Sequence, residues 1–247
     1  MTTVERDGAT VRYETAGEGE TVVLLGDAGY GPWQWGWQHA ALAGPYRTVV
    51  VVRRGTAGAP SGPTDVATLA ADLEAVLRDA AIGRAHLVGA GLGGMVALEY
   101  AREFGRARTL ALCSTATHGA GIDVAACRDL DLATSDAFRT AQPDVVAGVE
   151  SWREREDADD DGWRTQAAAV AAFDARDWLH EVTGPALVCH GTADAVWPVE
   201  RGEALADGLP RGEFHQLDGA GHLVWVEHSR VVNDRLAGFL ATHARPE

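Results

Sequence analysis

Three ionisable residues in this chain stand where acid–base chemistry would need them. Asp194 closes the run His190-Gly191-Thr192-Ala193-Asp194 after one apolar strand pattern, His222 closes Gly219-Ala220-Gly221-His222 after the next, and Asp27 follows Gly26 directly after the first buried strand. A carboxylate that holds one nitrogen of an imidazole fixes its tautomer and stabilises the imidazolium, leaving the other nitrogen to exchange a proton near neutral pH. Asp194 and His222 are therefore the expected acid and base. Asp27 has two readings: a turn carboxylate that caps backbone amides or pairs with Arg53 or Arg54, or a second acid/base placed across the pocket from His222. The nucleophile is missing. Gly89-Ala90-Gly91-Leu92-Gly93-Gly94 opens a helix directly after an apolar strand, the setting in which a G-x-S-x-G turn presents a reactive side chain, and the residue in the presenting position is Gly91. No acyl-enzyme can form there.

The elements that must position these residues follow from the apolar pattern. Thr2–Arg6 and residues 10–15 alternate around Asp7-Gly8, a hairpin signal. Short apolar runs then recur at Thr21–Leu25 and at residues 48–52, 86–89, 109–113, 186–189 and 213–217, with helical patterns at 63–79 and 92–104 between them. This alternation predicts a parallel sheet covered by helices on both faces. Between residues 118 and 182 no strand pattern is found; helical stretches such as 166–173 alternate with the acidic run 157–161. The expected division is an α/β core of residues 1–117 and 183–247 with a helical lid at 118–182, lying over the carboxyl edge of the sheet where ligands of open α/β sheets bind.

Composition narrows the function classes. The 247 residues are 46% hydrophobic, enough for one full-sized core, and the formal net charge of −15 opposes nucleic acid or an anionic membrane as partner. A small-molecule substrate is expected, handled by a monomer or homodimer. The first ten residues are polar and no apolar run reaches the roughly 20 residues of a membrane span, so a cytoplasmic protein is expected. Cys113, Cys127 and Cys189 lack C-x-x-C spacing and are read as core packing, with no disulfide or metal site. Gly89-x-Gly91-x-x-Gly94 also fits a dinucleotide fingerprint, but the next strand, 109–113, is followed by Ser114 where an acidic residue is needed, so no cofactor is expected.

On the turn at 89–93, the acid loop 190–194 with Pro198, and Gly221-His222 before the last helix, the chain resembles the α/β-hydrolase fold, in particular its lid-bearing enol-lactonase and haloperoxidase-like branch. The order nucleophile, acid, histidine is that of the family. The resemblance implies a mostly parallel twisted sheet with helices on both faces, and an oxyanion region built from Gly26, Ala28, Ala90, Gly91 and Leu92. This chain departs from the pattern in that Gly-His-Ser-x-Gly becomes Gly-Ala-Gly-Leu-Gly, and the His-Gly pair leading into the oxyanion hole becomes Gly26-Asp27. An ionised carboxylate in that position opposes the charge the hole exists to stabilise.

The expectation drawn from these residues is a cofactor-independent enzyme in which His222, oriented by Asp194, abstracts a substrate proton and Asp27 returns one, giving elimination, isomerisation or cyclisation of a secondary metabolite. The loss of the serine side chain would free volume for the reacting carbon beside His222. Two alternatives are a hydrolase of a lactone or ester that uses His-activated water, and a binding protein that keeps the pocket without the chemistry. Trp33, Trp35 and Trp37 follow Asp27 closely; on a helix Trp33 and Trp37 share a face, with Trp33 the aromatic wall expected at the pocket. His86, His118, His190 and Ser114 are discounted as site residues: His86 and His190 hold strand positions that look structural, His118 opens the lid with no partner in view, and Ser114 ends a strand without the elbow setting.

Overall fold

The computed structural model describes residues 1–60, 62 and 64–244. Eight strands form one sheet: β1 (Thr2–Arg6), β2 (Ala9–Ala16), β3 (Thr21–Leu25), β4 (Arg47–Val52), β5 (Ala85–Ala90), β6 (Ala107–Cys113), β7 (Ala186–Gly191) and β8 (Gly212–Leu217), in the order β1-β2-β4-β3-β5-β6-β7-β8. The hairpin β1–β2 is antiparallel and β2 joins β4 antiparallel; every pairing from β4 to β8 is parallel. Strands β3 and β5 are buried along their whole length, which is why they read as unbroken apolar runs rather than alternating ones.

Among the described residues there are ten α-helices: α1 (Gly36–Leu42), α2 (Val66–Asp79), α3 (Leu92–Glu103), α4 (Leu130–Ala133), α5 (Asp136–Ala141), α6 (Pro143–Glu156), α7 (Asp160–Ala172), α8 (Val199–Gly208), α9 (Val224–Glu227) and α10 (Ser229–Thr242). Helix α2 begins at Val66, capped by the Asp65 carboxylate on Thr68 N–H; the predicted start at Pro63 lies outside the described residues. Among the described residues no helix is long and apolar enough to cross a membrane.

The order of strands decides where a site can form. From β3 the chain crosses outward to β4, then returns past β3 to β5 and continues in that direction to β8. Right-handed crossovers therefore place α1 on one face and α2, α3 and α8 on the other; α1 packs on α10, and α2 on α3. The reversal makes the gap between the carboxyl ends of β3 and β5 the topological switch point of the sheet, where α/β folds bind ligands. Leu25 is paired with Gly89 across that gap, so Asp27 and Gly91 lie two residues beyond the same rung. All the helices from α4 to α7 belong to the segment between β6 and β7, whose two ends are paired with each other by a bridge from His118 to Asp174.

Candidate active site

Gly91 adopts φ 46° and ψ −115° at the mouth of α3, a conformation that side chains other than hydrogen rarely take. The turn is tight: a Cβ on Gly93 would overlap the carbonyl oxygen of Leu25. A Cβ on Gly91 would overlap Oδ1 and Cγ of Asp27 outright and stand 2.7 Å from Oδ2. The space that an elbow side chain would take is filled by the carboxylate of Asp27. This corrects the expectation that the missing serine leaves room for a reacting carbon beside His222.

Each oxygen of that carboxylate has a distinct environment. Oδ1 accepts from the backbone N–H of Leu92 at 2.8 Å and of Ala28 at 2.6 Å. These are the residue after the elbow position and a residue of the loop after β3, the two donors from which an oxyanion hole of this fold is made. Oδ2 accepts from Nε2–H of His222 at 2.8 Å. Asp27 is thus not across a pocket from His222 but bonded to it, with one oxygen in the oxyanion hole and the other where a serine hydroxyl would meet the imidazole. The other nitrogen of His222, Nδ1, donates to Asp194 Oδ2 at 3.0 Å, completing a carboxylate–imidazole–carboxylate chain.

The chain is buried and held from all sides. Asp27, Asp194 and His222 are 1%, 8% and 0% exposed. Asp194 Oδ1 accepts from the N–H groups of Val196 and Trp197, and Oδ2 also faces His190 Nε2 at 3.3 Å. Nε2–H of His190 donates to the Trp197 carbonyl as well, so His190 braces the acid loop as its structural reading expects. The imidazole of His222 lies parallel to Trp197 and edge-on to Trp225. Its carbonyl accepts from the hydroxyl of Ser114, a residue at φ 42° at the end of β6. Burial by itself pushes the His222 imidazole down, but Asp194, then Cys127, and then Asp27 outweigh it and hold the pKa well above its usual value. Asp194 is held well below the carboxylate range: its burial works the other way, but His222 and His190 beside it prevail. Neither Arg53 nor Arg54 pairs with the Asp27 carboxylate. Arg53 donates to the carbonyls of Gly26 and Asp27, its pKa lowered to about 10 by burial, and Arg54 forks onto Asp72.

Three contributors were not legible as site residues. Gln34 Oε1 accepts from Asp27 N–H at 2.8 Å and its amide donates back to Gly31, which fixes the loop. Ser114, discounted for lacking the elbow setting, holds the His222 backbone. Cys127, read as core packing, comes from the segment between β6 and β7 and places Sγ 3.8 Å from Asp27 Oδ2; the Tyr30 hydroxyl donates to its carbonyl. No spacing signal could have paired Cys127 with a residue 100 positions earlier. Among the described residues, Asp27, Cys127 and His222 form the one group with ligand atoms near enough for a metal, all within 4.8 Å. The 2.8 Å between Asp27 and His222 is shorter than the roughly 3.3 Å between two ligands on a tetrahedral zinc with bonds near 2.0 Å. Burial pushes the Cys127 thiol up to about 11.

The loop after Asp27 is latched by the β6–β7 segment. Gln166 on α7 accepts from Gly29 N–H at 2.9 Å and donates to the Arg54 carbonyl at 3.1 Å, and Ala158 N–H donates to Gly29 O at 2.7 Å. Asp157 accepts from Gly31 N–H and from the Trp33 indole, and Glu156 accepts from Trp33 N–H. Gln166→Ala would leave the buried Gly29 N–H without an acceptor, a loss of about 1–3 kcal/mol. The variant is expected to exchange Gly29 and residues 157–166 with deuterium faster than the wild type, and unchanged exchange would show that the latch is not what holds the segment down. Trp33 and Trp37 do share a surface, an apolar groove of about 760 Å³ with Trp152, while Trp35 is buried against Trp225. Asp27, Asp194 and His222 do not line that groove. His86 and His118 are bound elsewhere, to Thr109 and to Arg201.

Comparison with known proteins agrees with this architecture. The family model described as "Alpha/beta hydrolase family" matches residues 22–235. The chain is 30% identical over 96% of its length to a putative carbamate hydrolase, RutD, of Variovorax paradoxus (strain S110), 98% of which is covered. Among solved structures, an N-acyl homoserine lactone degrading enzyme, Est816, superposes with a TM-score of 0.88 at 25% identity, covering 96% of this chain and 100% of the other. The enol-lactonase from Burkholderia xenovorans LB400 shares the fold with a TM-score of 0.87 at 24% identity, covering 97% of this chain and all of the other.

Proposed function

The chain belongs to the α/β-hydrolase family, and on that premise we propose that it is a serine-independent hydrolase of a small molecule, working through Asp27, His222 and Asp194. The observation that carries this reading is the Asp27 carboxylate, seated on the two backbone N–H donors and on His222 in the place of the absent elbow side chain. His222, oriented by Asp194, moves the proton of the attacking water, and Asp27 is the group it works against. The segment 118–182 acts as the lid, and its hold on the Asp27 loop must loosen before substrate reaches the buried cluster. The names of the relatives, a carbamate hydrolase and a lactone-degrading enzyme among them, support hydrolysis over the elimination, isomerisation or cyclisation that the missing serine suggests.

Asp27→Asn keeps the size of the side chain and removes its charge. It is expected to lower turnover by about 10²–10⁴-fold, the range general acid–base groups supply. The test is mass spectrometry of products from a panel of lactones, carbamates, esters, epoxides and alkyl halides. Gain of one water, or exchange of halide for hydroxyl, that depends on Asp27 supports the reading; products of unchanged mass, or formed by loss of a small molecule with no oxygen gained, would return the elimination and isomerisation readings to the front.

A further inference from the structure

Resting on the hydrolase reading, we propose that Asp27 is itself the nucleophile, transferred from the elbow to the loop after β3, and that the substrate is a small electrophile attacked at a saturated carbon. The argument begins with what the oxyanion donors touch. Leu92 N–H and Ala28 N–H are both on Asp27 Oδ1, so a substrate carbonyl approaching this site meets no free donor of that pair. A saturated carbon bearing a leaving group, or closing a strained ring, develops no oxyanion and needs none. The same two hydrogen bonds pin the carboxylate so that Oδ2 is the free-standing oxygen, bonded to His222 on one side and facing the Cys127 thiol of the lid at 3.8 Å on the other. Lid opening carries Cys127 away from the line of approach to Oδ2.

The chemistry closes on these groups alone. Oδ2 forms a bond to the substrate carbon, and the bond from that carbon to the leaving group breaks with its electron pair; a ring oxygen takes the Nε2 proton of His222, whereas a halide leaves as the anion and His222, no longer facing a charged Asp27, gives the same proton to water. Asp27 is now an ester whose carbonyl oxygen, Oδ1, already lies between two N–H donors. Water attacks Cγ as His222 takes its proton, and the negative charge that forms on Oδ1 is met by Leu92 and Ala28. Breaking the Cγ–Oδ2 bond releases an alkoxide, which takes the proton left on the regenerated carboxyl group. The product therefore carries an oxygen from Asp27, and Asp27 keeps one from water. The oxyanion hole serves the protein's own carbonyl in place of the substrate's, which reconciles an acidic residue in that region with a working hydrolase.

The test is a single turnover of the wild-type protein, in excess over styrene oxide or 1-bromobutane, in water enriched in oxygen-18, with γ-butyrolactone and p-nitrophenyl acetate as acyl probes. The expected result is unlabelled product and a peptide containing Asp27 that carries one oxygen-18, together with a His222→Gln variant whose Asp27 peptide, after 1-bromobutane, gains a butyl group in place of hydrogen. Hydrolysis with the label in the first-turnover product and none in Asp27 would overturn the nucleophile while leaving a serine-independent hydrolase that activates water directly. Absence of hydrolysis and of any adduct across all four probes would overturn both readings.

Discussion

Serine placed at position 91 is expected to damage this protein rather than restore a familiar enzyme. The new Cβ would overlap the Asp27 carboxylate, and the backbone at φ 46° gives no alternative course for it. Asp27 would have to leave two backbone donors and the His222 imidazole, all buried. Breaking a buried charge pair by displacing one partner costs about 3–5 kcal/mol, and Gly91→Ser is expected to lose that much stability by urea unfolding and to fall at least 10³-fold in turnover. Asp27→Gly alone leaves His222 and the two N–H groups without their acceptor and is expected to cost a similar amount. The double variant Asp27→Gly, Gly91→Ser removes the overlap and gives His222 a hydroxyl partner. Its stability loss is expected to be smaller than the sum of the single losses by about 2 kcal/mol or more, within the range of coupled neighbours. It is also expected to show a burst with p-nitrophenyl acetate, the mark of an acyl-enzyme. Strictly additive losses would mean that the two positions do not compete for one space.

That competition explains what the sequence could and could not disclose. The strands, the elbow turn, the acid loop and the histidine are all written locally, in apolar runs of five to seven residues and in glycines where the chain must turn closely. The relation between Gly91 and Asp27 is not local. It depends on β3 and β5 being neighbours despite β4 intervening in sequence, and on Leu25 being opposite Gly89. Met separately along the chain, the two changes read as the loss of a nucleophile and the spoiling of an oxyanion hole. Met across the sheet, they are one rearrangement, in which the residue that spoils the hole occupies the vacated position. The contacts of the β6–β7 segment were hidden for a related reason: Gln166 lies on α7 but Asp157 and Cys127 lie outside the α-helices, and a hydrogen bond between residues 137 positions apart leaves no periodic trace. Trp33 and Trp37 were legible as a shared face because helical spacing is local, yet the groove they line is separate from the buried cluster.

His222 gives the largest expected effect on activity and a pH signature that reports its resting charge. His222→Ala removes the group that takes the proton of the attacking water and is expected to lower turnover by about 10³–10⁴-fold. With two carboxylates on its nitrogens, the imidazole holds its proton well above the ordinary pKa of about 6.5. A pKa raised by folding contributes stability that is fully present below about pH 6.5 and is lost as pH rises through the folded value, so the stability gap between wild type and His222→Ala is expected to narrow on the alkaline side. Asp194 acts in the opposite sense. Its pKa is lowered by folding, so its contribution is present above about pH 4 and is lost as pH falls through the folded value. Activity should follow the imidazolium, because a leaving ring oxygen takes its proton. Turnover is expected to hold through neutral pH and to decline in the alkaline range, and Asp194→Asn, which removes one of the two charges that keep the proton in place, is expected to move that decline to lower pH. A rate that instead rose through pH 6.5 would make the neutral imidazole the working form, with His222 taking a proton from water at the outset and Asp27 displaced from the first step.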